Sequence, residues 1–259
     1  MLANSTNNSN SKPMSQKRFI NASLVSIWVT VGLVVGTILG ALIMRFLYVT
    51  LPVGVFNPGS PANTLILAAL VYSLTVAVVI GVPWLAWNKR TTLAELGLSG
   101  LPTWRDVLLP IVGFVTYAVV AQIVLTTIVL IFPSFEVNQV QNTGFNALSS
   151  PIEYMIAFFA LVILAPFMEE LIFRGYLYAK LRSFKVPLWA VFLIVSVLFG
   201  AAHLQLNVAI NVFVLSLVLC GLRAYTGSLW ASILLHSLKN GLAFWLLFVN
   251  HSVLSTIGS

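Results

Sequence analysis

Seven apolar stretches, near 19–48, 62–88, 107–132, 152–179, 187–204, 207–223 and 228–249, fill most of this 259-residue chain. Each has at least the roughly 17 residues that a helix needs to cross a hydrocarbon layer. The fold class this predicts is all-α: a polytopic membrane helical bundle of about seven transmembrane helices. Charge agrees with that reading. The chain is 59% hydrophobic and 7% charged, whereas a soluble domain carries roughly 25% charged residues.

The first 18 residues, "MLANSTNNSNSKPMSQKR", are Asn/Ser-rich and lack an apolar period, so a disordered cytoplasmic tail is expected at 1–18. The next apolar run is far longer than the roughly 7–15 residues of a signal-peptide core, which makes it a retained first span. Residues 19–150 are then N-terminal transmembrane helices and a linker. That linker, "NKRTTLAELGLSGLPTWRD", is too polar to span and reads as an interfacial helix and turn. Lys12, Lys17 and Arg18, then Lys89, Arg90 and Arg105, then Lys180, Arg182 and Lys185, then Arg223, fall in alternate connections. Only Arg45 breaks the pattern. The rule that basic residues stay inside puts the N-terminus in the cytoplasm, and the expected location is the cell (plasma) membrane, as a multi-pass integral protein. The net charge of +7 follows from this rule and from anionic lipid head groups, and calls for no nucleic acid.

Cys220 is alone, which excludes an intrachain disulfide and a cysteine metal cluster. Gly32, Gly36 and Gly40 form a smooth stripe on the first span. Packing within the monomer is the favoured reading over dimerisation, and the sequence fixes no oligomeric state.

Chemistry concentrates in 151–250. Six residues of the chain are acidic, and two of them, Glu169 and Glu170, are adjacent within "ILAPFMEELIFRGYLYAKLR". Neighbours on a helix point about 100° apart, so the two carboxylates face different ways. Glu170 and Arg174 have the i,i+4 spacing of an ion pair, with the acid on the favoured side. Glu169 is left without a partner in its own helix. A carboxylate in a water-poor place is disfavoured in its charged form and so suits general-base work.

Three histidines are present. His251 belongs to the C-terminal tail and reads as an interface residue. His203 and His236 lie in or at the end of apolar segments, at depths that let both meet Glu169 inside the bilayer. Ionisable residues there are costly and mark function. Phe199 is one turn before His203 and shares its face. Asn240 is one turn after His236, so the two present donors side by side for a developing oxyanion. Lys239 interrupts an apolar face and reaches either toward the head groups or to a cavity mouth. Pro166, three residues before Glu169, is placed to kink the span and free backbone groups near the site.

Three motifs then occur in order on successive late helices: "EELIFR" as Glu-Glu-x-x-x-Arg, "FGAAH" as Phe-x-x-x-His and "HSLKN" as His-x-x-x-Asn. In this order they resemble the CPBP family of intramembrane proteases. That family includes the type II CAAX prenyl endopeptidases and bacterial bacteriocin-processing or immunity proteins. The resemblance covers about residues 150–248, and "TTLAELGLSG" also looks like the family's linker. It implies an endopeptidase acting on membrane-associated proteins or peptides. Glu169 and His203 would activate the attacking water. His236 and Asn240 would hold the oxyanion, and Glu170 and Arg174 would fix the helix that carries Glu169.

Metal-free glutamate chemistry is the favoured reading, with no cofactor. Zinc is the alternative, with Glu169, His203 and His236 as ligands and an open water position; the His-Glu-x-x-His helix of common zinc proteases is absent. Two other classes compete. A proton-coupled transporter would show repeated halves, but the polar residues here all fall in the second half. A non-catalytic scaffold or immunity protein would not need Glu169, His203, His236 and Asn240 together.

Overall fold

The computed structural model describes residues 15–52, 57, 59–136, 143–145 and 148–250. Lys12 and most of the N-terminal tail, and His251, lie outside the described residues. All secondary structure among the described residues is helical. We number the helices α1 (Gln16–Thr50), α2 (Pro61–Trp87), α3 (Leu93–Leu96), α4 (Trp104–Ile131), α5 (Pro151–Ser183), α6 (Leu188–Ala201), α7 (Leu206–Thr226) and α8 (Trp230–Val249). Side chains such as Leu24, Ile27 and Val31 on α1, and Val112, Val115 and Val119 on α4, face outward. Such surfaces, on helices of spanning length, belong in lipid. The protein is an integral membrane protein.

Six of these helices are long and apolar enough to cross a membrane. The fifth expected span, 187–204, is a shorter apolar helix. Its helix α6 has 14 residues, a rise of about 21 Å, short of the roughly 30 Å of hydrocarbon. Hydropathy read the turn after it as more helix. The chain leaves α6 at Ala202 and re-enters helix at Leu206, and His203 sits in that turn.

In lipid, apolar burial does not drive helices together; close packing and hydrogen bonds do. The α1 stripe shows the first. Gly32, Gly36 and Gly40 are buried, and a Cβ at each would run into Val79, Thr75 or Val71 of α2. The stripe is therefore filled from within the chain.

Proline-linked carbonyls show the second. A π-helical turn, Ala77–Gly81, precedes Pro83 in α2, and another, Phe159–Leu164, precedes Pro166 in α5. Proline has no N–H to return to the preceding turn, so a carbonyl there is left for another donor. Trp28 Nε1 of α1 donates to Val79 O at 3.1 Å. Asn240 Nδ2 of α8 donates to Leu161 O at 2.9 Å.

The linker is fastened to the bundle end where Lys180 and Arg223 lie. Thr92 and Glu95 form a reciprocal cap on α3. Gly97 follows at φ +83°, a left-handed conformation, with the Arg223 guanidinium against the place a Cβ would take. Arg223 donates to the carbonyls of Glu95 (3.0 Å), Arg174 (3.2 Å) and Gly227. Leu229 N donates to Gly97 O at 2.8 Å, and Lys180 pairs with Glu95 at 3.4 Å. The Arg174 carbonyl lies within a further π-helical turn, Leu171–Leu177, where the ordinary ladder is interrupted. The core around it, with Ile172, Phe173, Leu177, Val191, Val195 and Phe199, is fully packed.

Candidate active site

Helix α5 sets the frame. Glu169 and Glu170 end an α-helical piece, and the π-helical turn Leu171–Leu177 carries Arg174. The i,i+4 pair exists: Arg174 Nη1 donates to Glu170 Oε1 at 2.8 Å, with both side chains 0% exposed. The guanidinium also lies over the Phe199 ring, 4.3 Å from its centre. Arg174 Nε and Nη2 and Glu170 Oε2 have no hydrogen-bond partner among the described residues. Glu170 is thus the only ion-pair partner of Arg174 there.

Glu170 has a second task that spacing did not reveal. His236 Nδ1, from α8, lies 2.9 Å from the same Oε1. A carboxylate oxygen only accepts, so Nδ1 carries the hydrogen, and Nε2 is the nitrogen left to act. That Nε2 stands 3.8 Å from Glu169 Oε2. The other oxygen of Glu169 accepts a hydrogen bond from Tyr72 Oη of α2 at 2.5 Å. Glu169, without a partner in its own helix, is therefore held from another one. Tyr72 is a residue that sequence reasoning missed. Its one signal was a tyrosine amid an apolar span.

His203 is fixed likewise. Its Nδ1 lies 2.9 Å from the Phe199 carbonyl oxygen. A carbonyl accepts, so Nδ1–H donates and Nε2 remains available. The Phe199 ring stands edge-on to His203 (centroids 5.0 Å apart) and to His236 (5.8 Å). It backs both imidazoles and is 1% exposed.

One cavity of about 520 Å³ takes in Glu169, His203, His236 and Asn240 together. Tyr72 and Lys239 share its wall, as do Tyr117 and Asn211, linked by a 2.6 Å hydrogen bond. Lys239 thus stands on the cavity, with Nζ 3.3 Å from Asn240 Oδ1. Asn240 uses one Nδ2 hydrogen on Leu161 O, and the amide has a second. Glu169 is 18% exposed and His236 4%, so the carboxylate meets the cavity while the imidazole is enclosed. Such enclosure strengthens each electrostatic contact inside.

Zinc fits poorly. Among the described residues no three His, Cys, Asp or Glu side chains converge as a metal-holding group, and one oxygen of Glu169 is already engaged by Tyr72.

No curated protein and no solved structure matches the chain. Residues 151–242 match the family model described as Type II CAAX prenyl endopeptidase Rce1-like. The matched segment opens at the first residue of α5 and closes two residues after Asn240. It contains Glu169, His203, His236 and Asn240, while Tyr72 lies outside it. Residues 151–242, which contain these four residues, are thus similar to the type II CAAX prenyl endopeptidase Rce1-like family.

Proposed function

We propose that the protein is an intramembrane glutamate endopeptidase that hydrolyses peptide bonds of membrane-associated proteins or peptides, without a metal. The observation that carries this is the single cavity shared by Glu169, His203, His236 and Asn240. The family match supports a protease of CAAX type at the coarser level.

The chemistry runs as follows. A water between Glu169 and His203 loses a proton as its oxygen attacks the peptide carbonyl carbon. Glu169 is the base: Tyr72 holds one oxygen, which leaves Oε2 turned toward His236. His203 Nε2, free because Nδ1 is fixed on Phe199 O, accepts from the same water and orients it. The carbonyl oxygen becomes an oxyanion and is received by Asn240 Nδ2 and His236 Nε2. For His236 to donate there, Nε2 must carry a hydrogen while Nδ1–H remains on Glu170. The role thus requires a hydrogen on both ring nitrogens. Collapse of the tetrahedral intermediate returns the proton from Glu169 to the leaving amine. Preorganised donors of this kind are each worth about 10²–10³-fold in rate. Glu170 and Arg174 touch no substrate; they position His236.

The test compares membranes of cells that make the wild-type protein with cells that make Glu169→Gln at equal level. Shortened membrane-associated proteins found by terminal-peptide mass spectrometry only with the wild type are the expected outcome. Identical terminal peptides in both would overturn the proposal. Ion uptake into vesicles that Glu169→Gln abolishes, without any cleavage, would favour a transporter instead.

A further inference from the structure

Lys239 has no task in that chemistry, yet it stands on the cavity wall with Glu169, His203 and His236. Glu169 is close enough to act on it electrostatically, but no carboxylate among the described residues comes within ion-pair distance of it. Glu170 holds Arg174 and His236, and Glu169 holds Tyr72. Glu95 takes Lys180, Asp106 takes Thr103, and Glu153 takes Ser149. Among the described residues Lys239 is in no ion pair. Its ammonium has three donors, and its hydrogen bond in the structure is to Asn240 Oδ1. A cation kept inside a membrane protein is costly and marks a functional position. Snorkelling does not account for it, because Nζ lies at the Asn240 amide, and that amide is tied to Leu161 within α5.

The approach also sets Lys239 apart from the oxyanion. Nζ meets the carbonyl end of the Asn240 amide, whereas the oxyanion would be received at its amino end. With the oxyanion received at the amino end, the ammonium would stand to one side of the reacting carbonyl, toward a group flanking the scissile bond.

From this, and resting on the endopeptidase reading above, we infer that Lys239 forms a carboxylate-binding subsite beside the scissile bond and selects substrates that carry a carboxylate there. An acidic side chain and a free C-terminus supply the same group. Lysine binds it as a point charge through its three donors.

The experiment uses the purified full chain in phosphatidylcholine vesicles with synthetic membrane-anchored reporter peptides. One series moves a single Glu, matched by Gln, along the peptide. A second ends in a free carboxylate or an amide. The wild type should prefer the carboxylate member of at least one series by about 10- to 100-fold in kcat/KM, the range of a charge-assisted hydrogen bond. Lys239→Met should bring that ratio close to one, and Lys239→Glu should favour a Lys-bearing peptide over its Glu counterpart. Preference in the first series assigns the carboxylate to a side chain, and in the second to the C-terminus; either supports the subsite. A preference that persists in Lys239→Met overturns it. So does an equal kcat loss on charged and neutral peptides, which would place Lys239 in the chemistry. Binding to the Glu169→Gln protein separates the two readings. Carboxylate-selective binding that depends on Lys239, without cleavage by the wild type, retains the subsite and removes the protease. Cleavage without selectivity does the reverse.

Discussion

Substituting Glu170 by Gln tests whether the adjacent acids divide their labour as the geometry indicates. Glu170 and Arg174 are both 0% exposed and 2.8 Å apart. The Gln amide would keep the shape but remove the only ion-pair partner of Arg174 among the described residues. Arg174 already has two nitrogens without hydrogen-bond partners among the described residues, and what remains beside it includes the Phe199 face at 4.3 Å and the buried Cys220 thiol. Stranding one member of a buried pair costs about 3–5 kcal/mol. At roughly 2–4 °C per kcal/mol for a chain of this size, the melting midpoint in detergent should fall by roughly 6–20 °C. His236 also loses the charge that fixes its Nδ1 at 2.9 Å, so activity should fall as well. The double variant Glu170→Gln/Arg174→Gln removes the stranded charge and should recover part of the midpoint but not the activity. Glu169→Gln has the opposite signature: a normal midpoint, with turnover of a reporter peptide lowered by about 10²–10⁴-fold, as for a lost general base. If Glu170→Gln melts like the wild type and Glu169→Gln turns over normally, the division is wrong.

Tyr72→Phe leaves Glu169 Oε1 without its 2.5 Å donor; kcat should fall by about 10- to 100-fold, the range of a hydrogen bond to a charged group, with the melting midpoint nearly unchanged, and unaltered kcat would remove Tyr72 from the site. Treatment with a strong chelator should leave turnover intact, whereas a loss restored by zinc alone would reassign water activation to a metal. Gly36→Leu forces a side chain into Thr75 and the Val71 carbonyl, so it should lower the yield of folded protein; a normal yield would mean that α1 and α2 can separate freely. Reporter fusions after Ser60, Leu101, Ser149 and Ser183 should alternate sides, beginning outside, and two neighbouring fusions on one side would break the orientation drawn from Lys and Arg.

Local spacing made much of the site legible. Glu170 with Arg174, Phe199 with His203 and His236 with Asn240 are each one turn apart, and a helix keeps such pairs on one face whatever surrounds it. The bundle class was equally legible, because apolar length alone sets it. What stayed hidden depends on which helices touch. Tyr72 reaches Glu169 across 97 positions, and nothing in the periodicity of α2 marks that partner. The bond from His236 to Glu170 spans 66. It gave Glu170 a role at the site in addition to its pairing with Arg174. The bounds of the fifth stretch were less legible for a related reason: hydropathy reports how apolar a segment is, and 187–204 stays apolar through the turn that ends the helix at Ala201.

Pro166 shows how a local rule becomes a tertiary one. In the π-helical register of Phe159–Leu164, Ala165 N returns to Ala160 O. The next bond in that register would run from residue 166 to Leu161 O, and proline has no hydrogen to make it. A carbonyl left without a donor inside the bundle is costly. Asn240 supplies the donor at 2.9 Å, which ties α8 to α5 at the level of the cavity. One turn earlier on α8, His236 reaches Glu170. The helix that carries His236 and Asn240 is therefore fastened twice to the helix that carries Glu169. The same solution recurs where Trp28 caps Val79 O ahead of Pro83, between α1 and α2. There it only joins helices. At Leu161 it also uses one of the two Nδ2 hydrogens of Asn240 and leaves the other for the cavity, so the proline fixes the direction of a donor as well as the position of a helix.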